Sequence, residues 1–140
     1  MSERIDIVRQ WIEKADHDLG TAQVTYLYIP EYRDTVAFHC QQAVEKYLKG
    51  YLFFLEIPFK RIHSLNYCLS LLSQQVDISN ELFDSATLLE DFAVEIRYPD
   101  ASVDLSDEDI LQAFSIVKVF RVFVLNQKGL TIDYRDFNKE

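Results

Sequence analysis

The chain has 140 residues, which is enough for one domain with a hydrophobic core of its own. Its formal net charge of −9 excludes broad, sequence-independent binding to DNA or RNA, because such binding depends on Lys and Arg neutralising phosphates. Glycine and proline are scarce, at three residues each, and this disfavours an all-β fold with its many turns.

The sequence gives no sign of a targeting segment, a membrane span or a metal site. The first residues are polar, and no apolar run approaches the roughly 20 residues that a membrane span requires. The two cysteines, Cys40 and Cys68, form no CxxC pair, so we expect two buried, inert thiols. We therefore expect a cytoplasmic protein without a metal or another cofactor.

Two long amphipathic helices are predicted in the first 55 residues. Apolar residues recur with 3,4 spacing over residues 5–28, and Pro30 ends this first helix. The second helix is predicted over residues 32–55, and its last part, YLFFLEI, is apolar on nearly every side. A helix of this kind is either central in a bundle or covered by a second chain.

Three further helices are predicted, with the ranges 64–75, 79–97 and 107–127. Ser79 and Ser106 are expected to be N-caps. Pro99 stops the fourth helix, and Gly129 stands where a left-handed residue is expected after the fifth.

Short connections between long amphipathic helices favour antiparallel neighbours. The predicted fold is therefore all-α: an up-and-down antiparallel four-helix bundle with an additional short helix, about five helices in total. We expect a single domain over residues 5–127, followed by a polar C-terminal tail at 128–140, of which residues 131–140 are loose.

Acidic residues concentrate in residues 77–109, where eleven Asp or Glu accompany a single basic residue, Arg97. Four of these acids surround the start of the fifth helix: Asp104, Asp107, Glu108 and Asp109. The helix dipole favours acids at that end, and a metal site would need ligands from more than one element. Asp91 and Glu95 share a helix face, but acid–base work would require their burial, which nothing in the sequence indicates.

A polar ridge on the second helix is the first candidate binding feature. Its members are three or four residues apart: Gln42, Glu45, Lys46 and Lys49. The spacing alone favours an ordinary solvent face.

The three histidines form neither an HxxxH nor an HExxH pair. His17 is expected to be solvated, and His39 to be half-buried with its hydrogen bonds satisfied. His63 either begins the third helix or forms one wall of a polar pocket. Arg97 lies where the helix dipole favours a cation, and with Tyr98 it could equally hold a phosphate or a carboxylate.

Four segments resemble signatures of HEPN domains. Residues Phe38–Phe54, FHCQQAVEKYLKGYLFF, contain the pattern hydrophobic-x-x-Gln-Gln-Ala-x-Glu-Lys-x-x-Lys of the family's second helix. Trp11–Ala22 is similar to the first helix, His63-Ser64-Leu65 to the start of the third, and Arg97-Tyr98-Pro99-Asp100 to an Arg-Tyr-Pro turn. The segments occur in the order and spacing of the family and span about residues 5–127.

This resemblance implies a bundle of antiparallel helices, often a homodimer, that frequently pairs with a small nucleotidyltransferase of the minimal type. It also implies that a ribonuclease of the family would carry an Arg followed four to six residues later by His. Arg97 matches the arginine, but Ser102, Val103 and Asp104 stand where the histidine is expected. RNA cleavage at neutral pH needs a general acid or base with a pKa near 7, which His supplies and Ser or Val cannot.

The resemblance therefore predicts a non-catalytic module that binds a nucleotide, a partner nucleotidyltransferase, or both, and that self-associates. Candidate nucleotide or phosphate contacts are Lys46, His63, Arg97 and Tyr98, with Gln42 and Lys49 as secondary candidates. Two alternatives stay open: a ribonuclease toxin with a displaced catalytic residue, for which His63 is available, and a purely structural homodimer without a ligand.

Overall fold

The computed structural model describes residues 2–97, 105–128, 134, 136 and 137. Within this part the chain is all-α, with five helices and no strand: α1 Ser2–Tyr28, α2 Arg33–Phe54, α3 Leu65–Leu72, α4 Asn80–Arg97 and α5 Asp107–Lys128. The predicted all-α class and the five-helix count are confirmed.

Serine side chains fix where three of the helices begin. The Ser64 hydroxyl accepts from the Tyr67 amide at 3.2 Å, and the Ser79 hydroxyl accepts from the Leu82 amide at 3.2 Å. Ser106 accepts from the Asp109 amide at 3.1 Å while the Asp109 carboxylate accepts from the Ser106 amide at 3.0 Å. These reciprocal bonds satisfy amides that have no partner inside a helix. The predicted caps Ser79 and Ser106 are confirmed.

Two helix boundaries differ from the prediction. α1 begins at Ser2, three residues earlier than expected. α3 ends at Leu72 instead of residue 75, because the amides of Gln74 and Gln75 bond to carbonyls three residues back, Leu71 and Leu72, and tighten the chain into a turn. The predicted αL position, Gly129, and the turn at Pro99 lie outside the described residues.

α2 is the central helix, because it contacts each of the other four. Contacts of Asp18 with His39 and of Trp11 with Gly50 show that α1 and α2 are antiparallel. α5 is likewise antiparallel to α1, since Arg121 meets Asp16 and Phe114 packs on Tyr26. The short α3 lies antiparallel to α4, where Leu65 and Asn66 meet Glu90 and Thr87.

The interior is a single cluster of buried apolar side chains from all five helices. The predicted stripes supply it, as the buried residues Ile12, Leu19, Ala43, Leu69 and Val117 illustrate. Within the described part of the chain, no helix is both long and apolar enough to cross a bilayer.

Candidate functional site

Buried charges on α2 form the first polar cluster, here called the Glu45 cluster. Glu45 and Lys49 are only 3% and 5% exposed, although both are charged residue types. One Glu45 carboxylate oxygen accepts from Lys49 Nζ at 2.9 Å and faces His63 Nδ1 at 3.0 Å. Gln41 approaches the other oxygen at 3.4 Å and accepts in turn from Gln42 at 2.9 Å. The buried carboxylate is therefore compensated by a buried ammonium group and by hydrogen bonds.

The interpretation of this ridge as an ordinary solvent face is wrong for Glu45 and Lys49. The segment between α2 and α3 folds over them, with His63 bound to Glu45 and the Phe59 ring centroid 5.9 Å from Lys49 Nζ. Burial also raises the pKa of the Cys68 thiol to about 12, so this thiol stays protonated well above neutral pH. Cys68 is thus the buried, inert thiol that the sequence predicts, and Cys40 is buried as well.

Of the two roles considered for His63, the structure shows the first, at the start of α3. His63 directly precedes the N-cap of α3, Ser64, and its ring also bonds to Glu45. Its side chain is 71% exposed, so the edge of the ring opposite Nδ1 is left to solvent or a ligand. A carboxylate that fixes one ring nitrogen and leaves the other accessible is an arrangement used by general bases and by ligand-binding histidines.

The second cluster joins α1 to α2 through Asp18. Its carboxylate binds His39 Nδ1 at 2.8 Å and forms a short ion pair with Lys46 Nζ. His39 is half-buried with its hydrogen bond satisfied, as predicted, and His17 is exposed, as predicted. Lys46 and Lys49 are therefore both paired, but with different carboxylates, Asp18 and Glu45.

A third cluster, centred on Asp16, connects α1, α2 and α5. The Arg121 guanidinium donates two hydrogen bonds to the Asp16 carboxylate, at 2.8 and 3.0 Å, and the Tyr47 hydroxyl donates a third. Burial, followed by the neighbouring Asp16 charge, raises the pKa of Tyr47. Burial tends to lower the pKa of Arg121, but its bonds to Asp16 outweigh this and leave the pKa raised. Both groups thus keep their protons, and the cluster is a persistent polar link between α1, α2 and α5.

Three residues of the C-terminal tail return to the bundle, which corrects the expectation of a loose tail at these positions. The Tyr134 ring lies 5.2 Å from the Arg121 guanidinium carbon, and Asp136 accepts from Lys118 Nζ at 3.1 Å. Gln23 on α1 bonds to Tyr134, to Asp136 and to the Phe137 amide.

The proposed ligand residues are only partly brought together. Lys46 is paired with Asp18 and His63 with Glu45, so the two belong to different clusters. Arg97 ends α4, but its side chain and the whole of Tyr98 lie outside the described residues. Gln42 and Lys49, the secondary candidates, both stand in the Glu45 cluster. No group of three or more metal-ligating side chains occurs in the described part.

Sequence reasoning missed the Asp16 cluster and the role of Gln23. Asp16 and Arg121 each stand directly beside a buried apolar residue, Ala15 and Phe120. This position at the margin of an apolar stripe is the one signal that could have indicated partly buried charges on both helices.

The fold and these clusters define a small helical domain in which charged residues on the central helix are largely paired internally. The chain belongs to the HEPN domain family, whose model matches residues 8–128. The resemblance of the four sequence segments is thereby confirmed. A search among curated proteins found no match.

Two solved structures share the fold over most of the chain. The archaeal HEPN homologue ST0689 is 25% identical, with a TM-score of 0.67 over 86% of this chain and 96% of its own. The protein TT1696 from Thermus thermophilus is 27% identical, with a TM-score of 0.68 over 86% of this chain and 97% of its own.

Proposed function

We propose that this chain is a non-catalytic HEPN module that self-associates and binds a nucleotide, a partner minimal nucleotidyltransferase, or both. The observation that carries the self-association part of the proposal is a pair of exposed aliphatic side chains on α5, Val119 and Val122, which are 53% and 54% exposed. These two side chains are three residues apart, so they are neighbours on one side of the helix. An exposed apolar face of this kind is typical of a surface that another chain covers.

Self-association is tested by sedimentation velocity on the wild type and on Val122→Asp. We expect a wild-type dimer and a monomeric variant with unchanged helical circular dichroism. Ile29→Asp is the matched control, because it places the same charge on an exposed aliphatic position outside α5. A wild type that stays monomeric across the micromolar range would remove self-association from the proposal.

The non-catalytic assignment rests on the residues after Arg97. Ser102 and Val103 cannot act as an acid or base at neutral pH, and Asp104 could do so only with a strongly raised pKa. The same region can still bind, since an arginine at a helix end beside an aromatic residue suits a phosphate and a stacked base.

Nucleotide binding is proposed at Lys46, His63, Arg97 and Tyr98. His63 supports it best, because its ring is held by Glu45 and largely open to solvent. We expect chemical-shift changes near His63 when nucleotides are added at millimolar concentration, and their loss in His63→Ala. Lys49→Ala should instead impair folding, since it leaves the Glu45 carboxylate buried without its ammonium partner.

Absence of any shift change would end the nucleotide part, and a negative result with the partner as well would leave the purely structural homodimer. The partner part is tested separately, by co-expressing the tagged chain with a minimal nucleotidyltransferase and measuring a defined stoichiometric complex.

A ribonuclease with a displaced base is the second candidate function, and the His63–Glu45 pair favours it. The carboxylate holds His63 Nδ1 in the manner of a general base that is oriented by a third group. RNA cleavage by the wild type that disappears in both His63→Ala and Arg97→Ala would establish this function. No cleavage by any of the three proteins would dismiss it.

A further inference from the structure

The side chain of Gln23 is 2% exposed, and its hydrogen bonds go to the C-terminal segment. Its amide nitrogen donates to the Asp136 carboxylate at 2.8 Å. Its amide oxygen accepts from the Tyr134 hydroxyl and from the Phe137 backbone amide, the latter at 3.3 Å. A buried amide costs free energy unless its donors and acceptors are satisfied, so α1 carries a polar group that is matched to a bound segment.

The neighbouring residues of α1 and α5 select the chemistry of that segment. The guanidinium of Arg121 faces the Tyr134 ring, and Lys118 binds the Asp136 carboxylate at 3.1 Å. The Phe137 ring lies against Gly20, where a built Cβ would be 3.3 Å from ring atom Cε2. The surface therefore recognises an aromatic ring, a carboxylate two residues later and a second aromatic ring directly after it.

The groove continues beyond the segment that occupies it. Phe137 forms one wall of a cavity of about 510 Å³ between α1 and α5. Most of the other lining residues are apolar: Tyr26, Leu27, Pro30, Leu111 and Phe114. The ion pair of Arg33 with Asp107 also lines the cavity. This volume lies in the range of sites that bind small ligands or peptide side chains.

We infer that the α1–α5 groove is a docking site for a partner's acidic–aromatic segment, and that Tyr134, Asp136 and Phe137 occupy it in cis as a competing pseudo-ligand. A partner segment with the same Tyr-x-Asp-Phe chemistry and one more apolar side chain would fill both the occupied and the open part. The open cavity favours such an outside occupant, because filling it adds apolar contact that the resident segment does not make. This site is separate from the exposed face of Val119 and Val122 and from His63.

Because the resident segment competes in cis, it should lower the affinity of the groove for a free peptide. A tethered segment acts at an effective concentration in the millimolar range, so it masks the groove from a free peptide. Weakening the resident segment should therefore strengthen the binding of that peptide.

The test uses the full chain and a fluorescent peptide that spans residues 131–140. The double variant Tyr134→Ala/Phe137→Ser should bind this peptide at least about tenfold more tightly than the wild type does. Gln23→Ala in the same background should abolish binding, whereas Gln112→Ala, an exposed glutamine of α5, should leave it unchanged. The control peptide carries the same two substitutions at Tyr134 and Phe137 and should not bind.

Gly20→Leu provides a second groove variant if Gln23→Ala fails to fold, because the added side chain takes the place of the Phe137 ring. Equal peptide affinity for the wild type and the double variant would overturn the inference, as would binding that survives both groove variants. A wild-type dimer that dissociates in the double variant would also overturn it, because the groove would then hold the tail of a second copy. None of these readouts depends on Val122, so the outcome is independent of the proposed α5 interface.

Discussion

At the scale of single residues, Gly20 and Gly50 both lie inside helices, but alanine substitutions at the two positions are expected to change stability in opposite directions. In a helix interior, alanine is favoured over glycine by about 1 kcal/mol. A Cβ on Gly50 would lie 3.0 Å from Trp11 Cβ, where α1 and α2 touch. On Gly20 it would lie 3.3 Å from the edge of the Phe137 ring, which can move away.

We predict that Gly50→Ala lowers the free energy of unfolding by about 1–3 kcal/mol, the usual cost of overpacking. Gly20→Ala should be neutral or stabilising by up to about 1 kcal/mol. Urea denaturation of both variants checks this prediction. Equal effects at the two positions would show that helix contact at Gly50 is looser than the Trp11 distance implies.

The Cys68 thiol should make stability depend on alkaline pH. Burial raises its pKa from 9.0 to about 12 in the folded chain. Because the folded pKa is the higher one, the stabilisation is fully present below pH 9 and is lost as pH rises towards 12. We predict a loss of about 1.4 kcal/mol per pH unit above the unfolded pKa, which is the free-energy equivalent of one pKa unit.

Cys68→Ala serves as the comparison, since it removes the titrating thiol and leaves the other alkaline groups in place. The free energy of unfolding of the variant should fall less steeply between about pH 9 and pH 11 than that of the wild type. Parallel curves would mean that Cys68 is accessible to solvent in the native state.

The burial of Glu45 and Lys49 could not be predicted from the spacing of these residues. Their spacing indicates a shared helix face, which is correct, but spacing contains no information about what covers that face. The cover is formed by Phe59 and His63, which belong to a connecting segment without periodicity. Burial of this ion pair is thus a tertiary property.

At the scale of helices, most boundaries could be predicted, because the residues that start and stop a helix act locally. Ser79 and Ser106 cap their helices with bonds to amides three residues on, and Pro30 follows the last turn of α1. The early end of α3 could not be foreseen, because Leu71 and Leu72 accept bonds in a turn that no Gly or Pro announces.

Asp16 and Asp18, two acids close together on α1, are expected to contribute unequally to stability. Asp16 binds Arg121 and the fully buried Tyr47, so Asp16→Ala leaves a cation and a hydroxyl without their partner. We expect a loss of about 3 kcal/mol, the lower end of the cost of removing one partner of a buried pair. Asp18→Ala should cost about 1 kcal/mol, because its partners His39 and Lys46 reach solvent.

Thermal unfolding of the two alanine variants, followed by circular dichroism, gives the comparison. Asp16→Ala should also loosen α5 against α1, visible as faster amide exchange around Arg121. Equal destabilisation by both substitutions would show that the Asp16 cluster is not the main polar link between α1, α2 and α5.

At the scale of the whole molecule, the central position of α2 could be predicted and the docking of the tail could not. α2 is apolar on nearly every side of its last part, and this requires neighbours all round. Tyr134, Asp136 and Phe137 stand in a polar stretch, and their partners Gln23, Lys118 and Arg121 lie far away in sequence. No local pattern encodes such a contact.

The net charge of the chain determines whether salt strengthens or weakens self-association. Two copies of a chain with a formal charge of −9 repel each other, and salt screens this repulsion over a Debye length of about 10 Å at about 0.1 M. Contact between the aliphatic faces around Val119 and Val122 is itself insensitive to this screening, so we expect tighter association at about 300 mM than at about 20 mM salt. Sedimentation equilibrium at the two salt concentrations measures the difference. Weaker association at high salt would show that ion pairs hold the copies together, and the α5 face would then be excluded as the principal contact.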